Sequence, residues 1–246
     1  MISDQGVERM SNPLSGAALR PVMERVTVAE SVYRRMGESL MLGRFDPGQV
    51  LTIGALADTF QTSHMPVREA LRRLGAEGAV EIRSNGSAYV PDATVSALDD
   101  IIRARLALEG LATELAVDRI TEDEARALSA LEARHSATVE LRDVYEMLER
   151  NRDFHFAIYA AARSPVLQSL IESLWLRYGP FMRLLSAHIA PELAAGTHEP
   201  FLQSHREIVA AIRARDTDRA RQAMCRDIGA TRALLGVLCA AQGPAG

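Results

Sequence analysis

The stretch from Thr62 to Pro91, TSHMPVREALRRLGAEGAVEIRSNGSAYVP, limits the possible folds more than any other part of the chain. Thr62 and Ser63 are good helix N-caps, and Pro66 falls in the first turn, where its missing N–H costs nothing. Val67, Ala70, Leu71 and Leu74 recur at helical spacing as one apolar stripe, and Arg68, Arg72 and Arg73 lie away from it. Ala76-Glu77-Gly78 ends the helix. Val80 and Ile82, then Ala88 and Val90, are short alternating runs around Ser84-Asn85-Gly86, which predicts a hairpin. Upstream, Val28 to Gly43 is a helix with Val32, Met36 and Leu40 on one face. A tight turn at Phe45-Asp46-Pro47-Gly48 and a short helix from Ile53 to Phe60 follow. Helix, short helix, turn, second helix and β-wing is the winged helix-turn-helix order, in which the second helix of the pair enters the DNA major groove.

At these residues the chain resembles the DNA-binding domain of GntR-family bacterial transcription regulators. The marks are G-x-x-x-P-G from Gly43 to Gly48, Leu56-Ala57, P-V-R-E-A-L from Pro66 to Leu71 with L-x-x-E-G after it, and a glycine in the wing, Gly86. Members commonly carry Arg after the helix-start Ser, where this chain has His64, so the resemblance implies an altered operator contact there. The expected DNA-binding residues are Ser63, His64, Arg68, Arg72, Arg73 and Gly86. Arginine suits the task because its planar fork grips guanine O6 and N7 or clamps a phosphate. Gly86 lets the wing backbone approach the sugar-phosphate chain closely. The plain alternative for the arginines is a solvated helix face.

Composition adds bounds. The 246 residues, 48% apolar, suffice for two domains, and the low aromatic share of 5% points to Ala- and Leu-rich helical cores. All 28 basic residues are Arg, and the net charge of −4 decides little, because a basic patch on one face is enough for DNA. Cys225 and Cys239 fit reduced thiols better than a disulfide framework. No secretory signal and no long apolar run is present, so a cytoplasmic protein with no membrane contact is expected. Residues 1–24 read as a flexible leader, 25–92 as the winged helix-turn-helix domain, and 95–240 as an all-helical effector-binding and dimerisation domain.

Beyond Pro91-Asp92-Ala93-Thr94 no strand-like alternation occurs. Ser96 to Arg119 carries a wide apolar stripe suited to a bundle interior. Thr121-Glu122-Asp123-Glu124 is a capping box opening a helix towards Ala137. Further helices are expected at Asp143 to Ala162, Pro165 to Ile189 (bent or broken near Gly179-Pro180), Pro200 to Arg213, and Thr217 to about Leu238. The fold class is mainly α.

This half resembles the FCD ligand-binding domain of FadR-like GntR members, through R-L-A-L-E (Arg105 to Glu109), N-R-D-F-H (Asn151 to His155), S-H-R-E-I-V-A-A-I (Ser204 to Ile212) and D-T-D-R-A-R-Q-A-M-C-R-D-I (Asp216 to Ile228). Many FCD domains hold a divalent metal through an Asp, a His four residues later, and one His on each of two later helices. The resemblance places those positions on Asn151, His155, His205 and Asp227, so the first carboxylate is an amide here and the last imidazole a carboxylate. Such a set suits Zn²⁺, Ni²⁺ or Mn²⁺ and leaves a position open to an effector carboxylate. On spacing alone, His155 and His205 read as core histidines hydrogen-bonded to neighbours, and Asn151 and Asp227 as ordinary helix residues. Arg105 pairs either with Glu109 one turn on or, as the resemblance suggests, with the carboxylate of an organic-acid effector. His188 and His198 stand near the expected pocket rim, Trp175, Tyr178 and Phe181 read as core packers, and His135 as a surface residue.

The resulting expectation is a transcription regulator, a repressor, that binds a double-stranded operator as a homodimer under control of a small organic acid. A metal-dependent enzyme acting on a small acid and a pure metal sensor are the alternatives.

Overall fold

A computed structural model describes residues 27–84, 86–196 and 202–242; the expected leader, residues 1–24, and His198 lie outside the described residues. The order is α1 (Val28–Met41), β1 (Val50–Leu51), α2 (Ile53–Phe60), α3 (His64–Ala76), β2 (Glu81–Ile82) and β3 (Ala88–Tyr89), then α4 (Val95–Arg119), α5 (Glu122–Leu141), α6 (Val144–Ala161), α7 (Pro165–Ala195), α8 (Leu202–Arg213) and α9 (Thr217–Ala241). The chain is mainly α, as expected.

In the first part, Thr27 caps α1 by accepting from the Glu30 N–H at 3.1 Å. Val32, Met36 and Leu40 of α1 meet Val67, Leu71 and Leu74 of α3 in one core. The wing is a three-stranded sheet in the order β1-β3-β2, both pairings antiparallel. Glu81 faces Tyr89 and Ile82 faces Ala88, as a hairpin requires. Strand β1 was not anticipated, because two residues are too few to show alternation. It satisfies the other edge of β3, with Val50 against Tyr89. Gly48, at φ +74°, turns the chain so that its N–H reaches the Val90 carbonyl at 2.9 Å.

The second part is a helical bundle. The capping box at Thr121 and Glu124 forms with both reciprocal bonds, and Asp143, Ser164 and Asp216 cap the next elements from their side chains. Helix α5 runs past Ala137 to Leu141, and α7 departs more sharply from expectation: it passes through Gly179-Pro180 unbroken. Residues Leu184 and Leu185 on one turn, and Trp175 and Leu176 on another, are all buried. Packing on nearly every side of the helix outweighs the local cost of proline in its interior.

The reason for that packing is that α7 belongs to two cores. Leu176 lies in the core of the winged helix, whereas Trp175, Tyr178 and Phe181 lie in the core of the bundle. A Cβ on Gly179 would stand 2.4 Å from the Leu40 carbonyl oxygen, and one on Gly43 would stand 2.3 Å from the Arg183 nitrogen. The first glycine of G-x-x-x-P-G thus serves the junction between the parts, where it also adopts φ +64°. Arg177 Nε donates to the Glu77 carbonyl at 2.8 Å and Arg183 Nε to Asp46 Oδ1 at 2.6 Å, completing the seam.

Gly179→Ala tests this contact. Alanine gains up to about 1 kcal/mol in helix propensity, but the clash is with backbone and cannot be relieved by a rotamer change. A net loss of about 1–3 kcal/mol is expected, seen as a fall in Tm of roughly 2–10 °C.

Candidate functional site

The outward face of α3 carries the expected DNA-reading set. Ser63 is its N-cap, at φ −77° and ψ 168°. His64, Arg68 and Arg72 follow one another at four-residue intervals, all exposed, opposite the buried Val67, Leu71 and Leu74. Neither Arg68 nor Arg72 makes a hydrogen bond or ion pair with a described residue, so both guanidinium groups remain available. Arg73 is placed differently. Its Nη1 bonds Glu30 Oε2 at 2.6 Å, and its guanidinium lies 3.6 Å from the centroid of the Tyr33 ring, tying α3 to α1. Gly86 is exposed at φ +80° with no atom within 4 Å of a would-be Cβ, leaving the wing tip open. Met65, 66% exposed beside His64, is a further residue on this face. Its position off the Val67–Leu71 stripe is the sequence signal that marks it.

The second site is a cavity of about 60 Å³ inside the bundle. A water needs roughly 10–15 Å³ by the same measure, so the space suits a small molecule of a few heavy atoms. Its polar wall combines Arg105 of α4, Asn151 and His155 of α6, His205 of α8 and Asp227 of α9. The four expected ligand positions therefore converge. His155 Nε2 stands 3.4 Å from Asp227 Oδ2, and His205 Nε2 stands 3.5 Å from Asp227 Oδ1. Ligand atoms around a tetrahedral zinc are separated by about 3.3 Å, close to these two distances, and the ligand atoms of all three residues lie within 4.8 Å of one another. Asn151 lines the same cavity, and its amide bonds no described residue.

Outer hydrogen bonds orient the imidazoles. Tyr159 Oη donates to Glu109 Oε2 at 2.5 Å and can then accept from His155 Nδ1, 3.1 Å away. With the proton on Nδ1, His155 turns the lone pair of Nε2 towards Asp227. His205 Nδ1 meets His135 Nδ1 at 3.2 Å, and donation from His205 leaves its Nε2 lone pair facing Asp227 as well. Burial pushes the His205 imidazole down to about 3 and the His135 imidazole down to about 4, keeping both neutral near pH 7. Burial works to raise the Asp227 carboxyl, but a hydrogen bond from His155, available when Nε2 carries the proton, and the Arg105 charge work against it, and Asp227 is held below the usual carboxylate range. In the Nδ1–H tautomer the two Nε2 lone pairs and the carboxylate meet at one point, and a cation would take the place of that proton.

Arg105 combines both anticipated roles. It is 4% exposed, and its Nε and Nη2 bond Glu109 at 2.6 and 3.2 Å. Its guanidinium also lies 4.4 Å from the Tyr178 ring centroid and 5.0 Å from that of Trp175. Arg105 Nη1 bonds no described residue, and Arg105 lines the cavity. Other expectations shift. His135 is buried against His205 rather than on the surface, because α8 packs over its face of α5. Trp175 and Tyr178 line the cavity as well as packing the core. His188 is exposed beside Glu192, away from the cavity, and His198 is outside the described residues.

Residues 28–90 match the bacterial regulatory proteins of the gntR family, and residues 100–230 match the FCD domain. The chain belongs to the GntR family of transcription regulators. The E. coli (strain K12) HTH-type transcriptional regulator McbR is 31% identical to it over 202 residues, 82% of this chain and 90% of McbR. The HTH-type transcriptional repressor GlaR of the same strain is 30% identical, over 78% of this chain and 88% of GlaR. The solved structure of E. coli McbR/YncC superposes with a TM-score of 0.79 at 30% identity, covering 86% of this chain and 98% of that one. As a GntR regulator with an FCD domain, the protein is a DNA-binding transcription factor and not an enzyme. None of its described helices is long and apolar enough to cross a membrane.

The buried Arg105–Glu109 pair yields a stability prediction. Glu109 is 0% exposed, so Glu109→Ala leaves a guanidinium buried without its counter-charge. The loss should be about 3–5 kcal/mol, measured by urea unfolding.

Proposed function

We propose that the protein is a homodimeric repressor whose operator affinity is set by a small carboxylate bound in the bundle cavity together with a divalent cation. The carrying observation is that one enclosed space holds three convergent cation ligands, His155, His205 and Asp227, and a guanidinium with an unengaged N–H group, Arg105. Zn²⁺, Ni²⁺ or Mn²⁺ suits that donor set, with Asn151 as a weak oxygen donor. The bound cation supplies positive charge for an effector carboxylate, and Arg105 Nη1 offers a second anchor for the same anion. Without the cation Asp227 is left unbalanced, since Glu109 already offsets Arg105, and the cavity would repel an anion.

Residues 27–92 form the reading unit and 95–240 the sensing unit in this proposal. Effector binding changes DNA affinity only as far as it favours one placement of the two units over another. Helix α7 is the physical route, because it packs in both cores. A two-fold dimer requires two operator half-sites. That its relative GlaR is a transcriptional repressor supports the repressor sense.

On the DNA side, Arg68→Ala and Arg72→Ala should each weaken the specific complex with DNA flanking the protein's own gene by about 1–3 kcal/mol, or roughly 5- to 150-fold. Mobility-shift titration at fixed salt measures this. Arg73→Ala should act mainly by lowering Tm, since that side chain clasps α1. No salt-sensitive specific complex at any effector state would sink the proposal.

On the sensor side, adding Zn²⁺ after chelation should raise the Tm of the parent protein through linkage, and His155→Ala should abolish most of that rise. If metal alone changes DNA affinity and no acid adds to it, the pure metal-sensor reading replaces the organic-acid one.

A further inference from the structure

Among the described residues, one buried side-chain polar atom has no hydrogen-bond partner, the hydroxyl of Tyr178. Tyr178 is 2% exposed and lines the bundle cavity. An unmet buried hydroxyl costs stability, and native structures keep few of them without a purpose. The nearest charged group acts on the hydroxyl by proximity and makes no well-formed bond to it: Arg105 stacks on the ring, 4.4 Å from its centroid, and spends Nε and Nη2 on Glu109. Tyr159 shows the contrast: it occupies the same buried region, but its hydroxyl is fully engaged between Glu109 and His155. Burial raises the Tyr178 hydroxyl above its ordinary range, so it stays protonated and keeps its O–H to donate.

We propose that Tyr178 is an effector-binding residue whose hydroxyl donates a hydrogen bond to an oxygen of the bound acid, beside Arg105 Nη1. This inference rests on the reading of the cavity as a carboxylate-effector site and adds a neutral donor to it. A neutral donor beside a guanidinium discriminates among acids by where their oxygens lie, which charge alone does not. The location gives the contact a second consequence. The chain neighbours of Tyr178 on α7 are the seam residues, with Arg177 bonded to the Glu77 carbonyl and Gly179 against the Leu40 carbonyl. An acid that pulls on Tyr178 pulls on the backbone that holds the winged helix.

The test compares the parent protein with Tyr178→Phe, which deletes the hydroxyl and keeps the ring over Arg105. Both are melted with acetate, lactate, malate, succinate and gluconate, each with added Zn²⁺ and with chelator. Without acid, the variant should melt no lower than the parent, since the hydroxyl has no partner to lose. With an acid that stabilises the parent, its apparent affinity should fall at least tenfold in the variant, and operator release by that acid should shift to correspondingly higher concentration. Equal affinity for every acid in parent and variant would overturn the role of Tyr178 and leave the effector reading standing. A lower Tm of the variant without acid would also overturn it, by revealing a structural bond to the hydroxyl. If no acid stabilises the parent with or without Zn²⁺, the carboxylate-effector reading falls, and the Tyr178 contact with it.

Discussion

The contact on which the rest of the molecule depends is the backbone approach of α7 to the end of α1. At Gly179 and Gly43 there is no room for a single methyl group between the two chain segments. Contacts this close are rigid, so a displacement of α7 is not absorbed by side chains before it reaches α1. Since α1 shares its core with α3, the placement of the recognition helix is tied to the placement of α7. An adjoining face of α7 lines the bundle cavity through Trp175 and Tyr178. The cavity and the DNA-reading helix are thus joined through a single helix, with no long relay of side chains between them.

The bundle interior is organised by a polar network that a hydrophobic core would not need. Arg105, Glu109, Tyr159, His155 and Asp227 connect α4, α6 and α9 through successive contacts of 2.5–3.4 Å. Trp175 Nε1 adds a fourth donor to Glu109, at 3.2 Å. Burying these charges is expensive, and well-packed apolar residues are often at least as stable. What the network supplies is orientation. Each member has its direction set by the next, so the two imidazoles face Asp227 without freedom to turn away.

Much of this was legible in the sequence because the relevant signals are local. The N-cap at Ser63, the stripe from Val67 to Leu74 and the turn at Gly86 each determine their own neighbourhood, and the capping box at Thr121 does the same. The four positions from Asn151 to Asp227 came together because the order of helices, inferred by resemblance, carried them. The misreadings concern properties that no local window contains. His135 sits on an amphipathic helix whose polar side would face solvent, and only the packing of α8 covers it. Helix α7 looked breakable at Gly179-Pro180 because the two residues are helix breakers in isolation. The same glycine is what allows α1 to come close, and that contact keeps the helix in place. Tyr178 read as a core aromatic, which it is; its unmet hydroxyl becomes visible only once every neighbour is known.

Pro180 has a mechanical consequence. Proline has no N–H, so the Leu176 carbonyl, four residues earlier, receives no bond from the helix at that turn. Leu176 is the residue that α7 inserts into the winged-helix core. One rung of the helix ladder is thus missing where α7 passes between the two bodies, in the same turn that holds Gly179 against the Leu40 carbonyl. Packing against α1 stands in there for the absent hydrogen bond, so the straightness of α7 at its crossing depends on the neighbouring body and not on the helix alone.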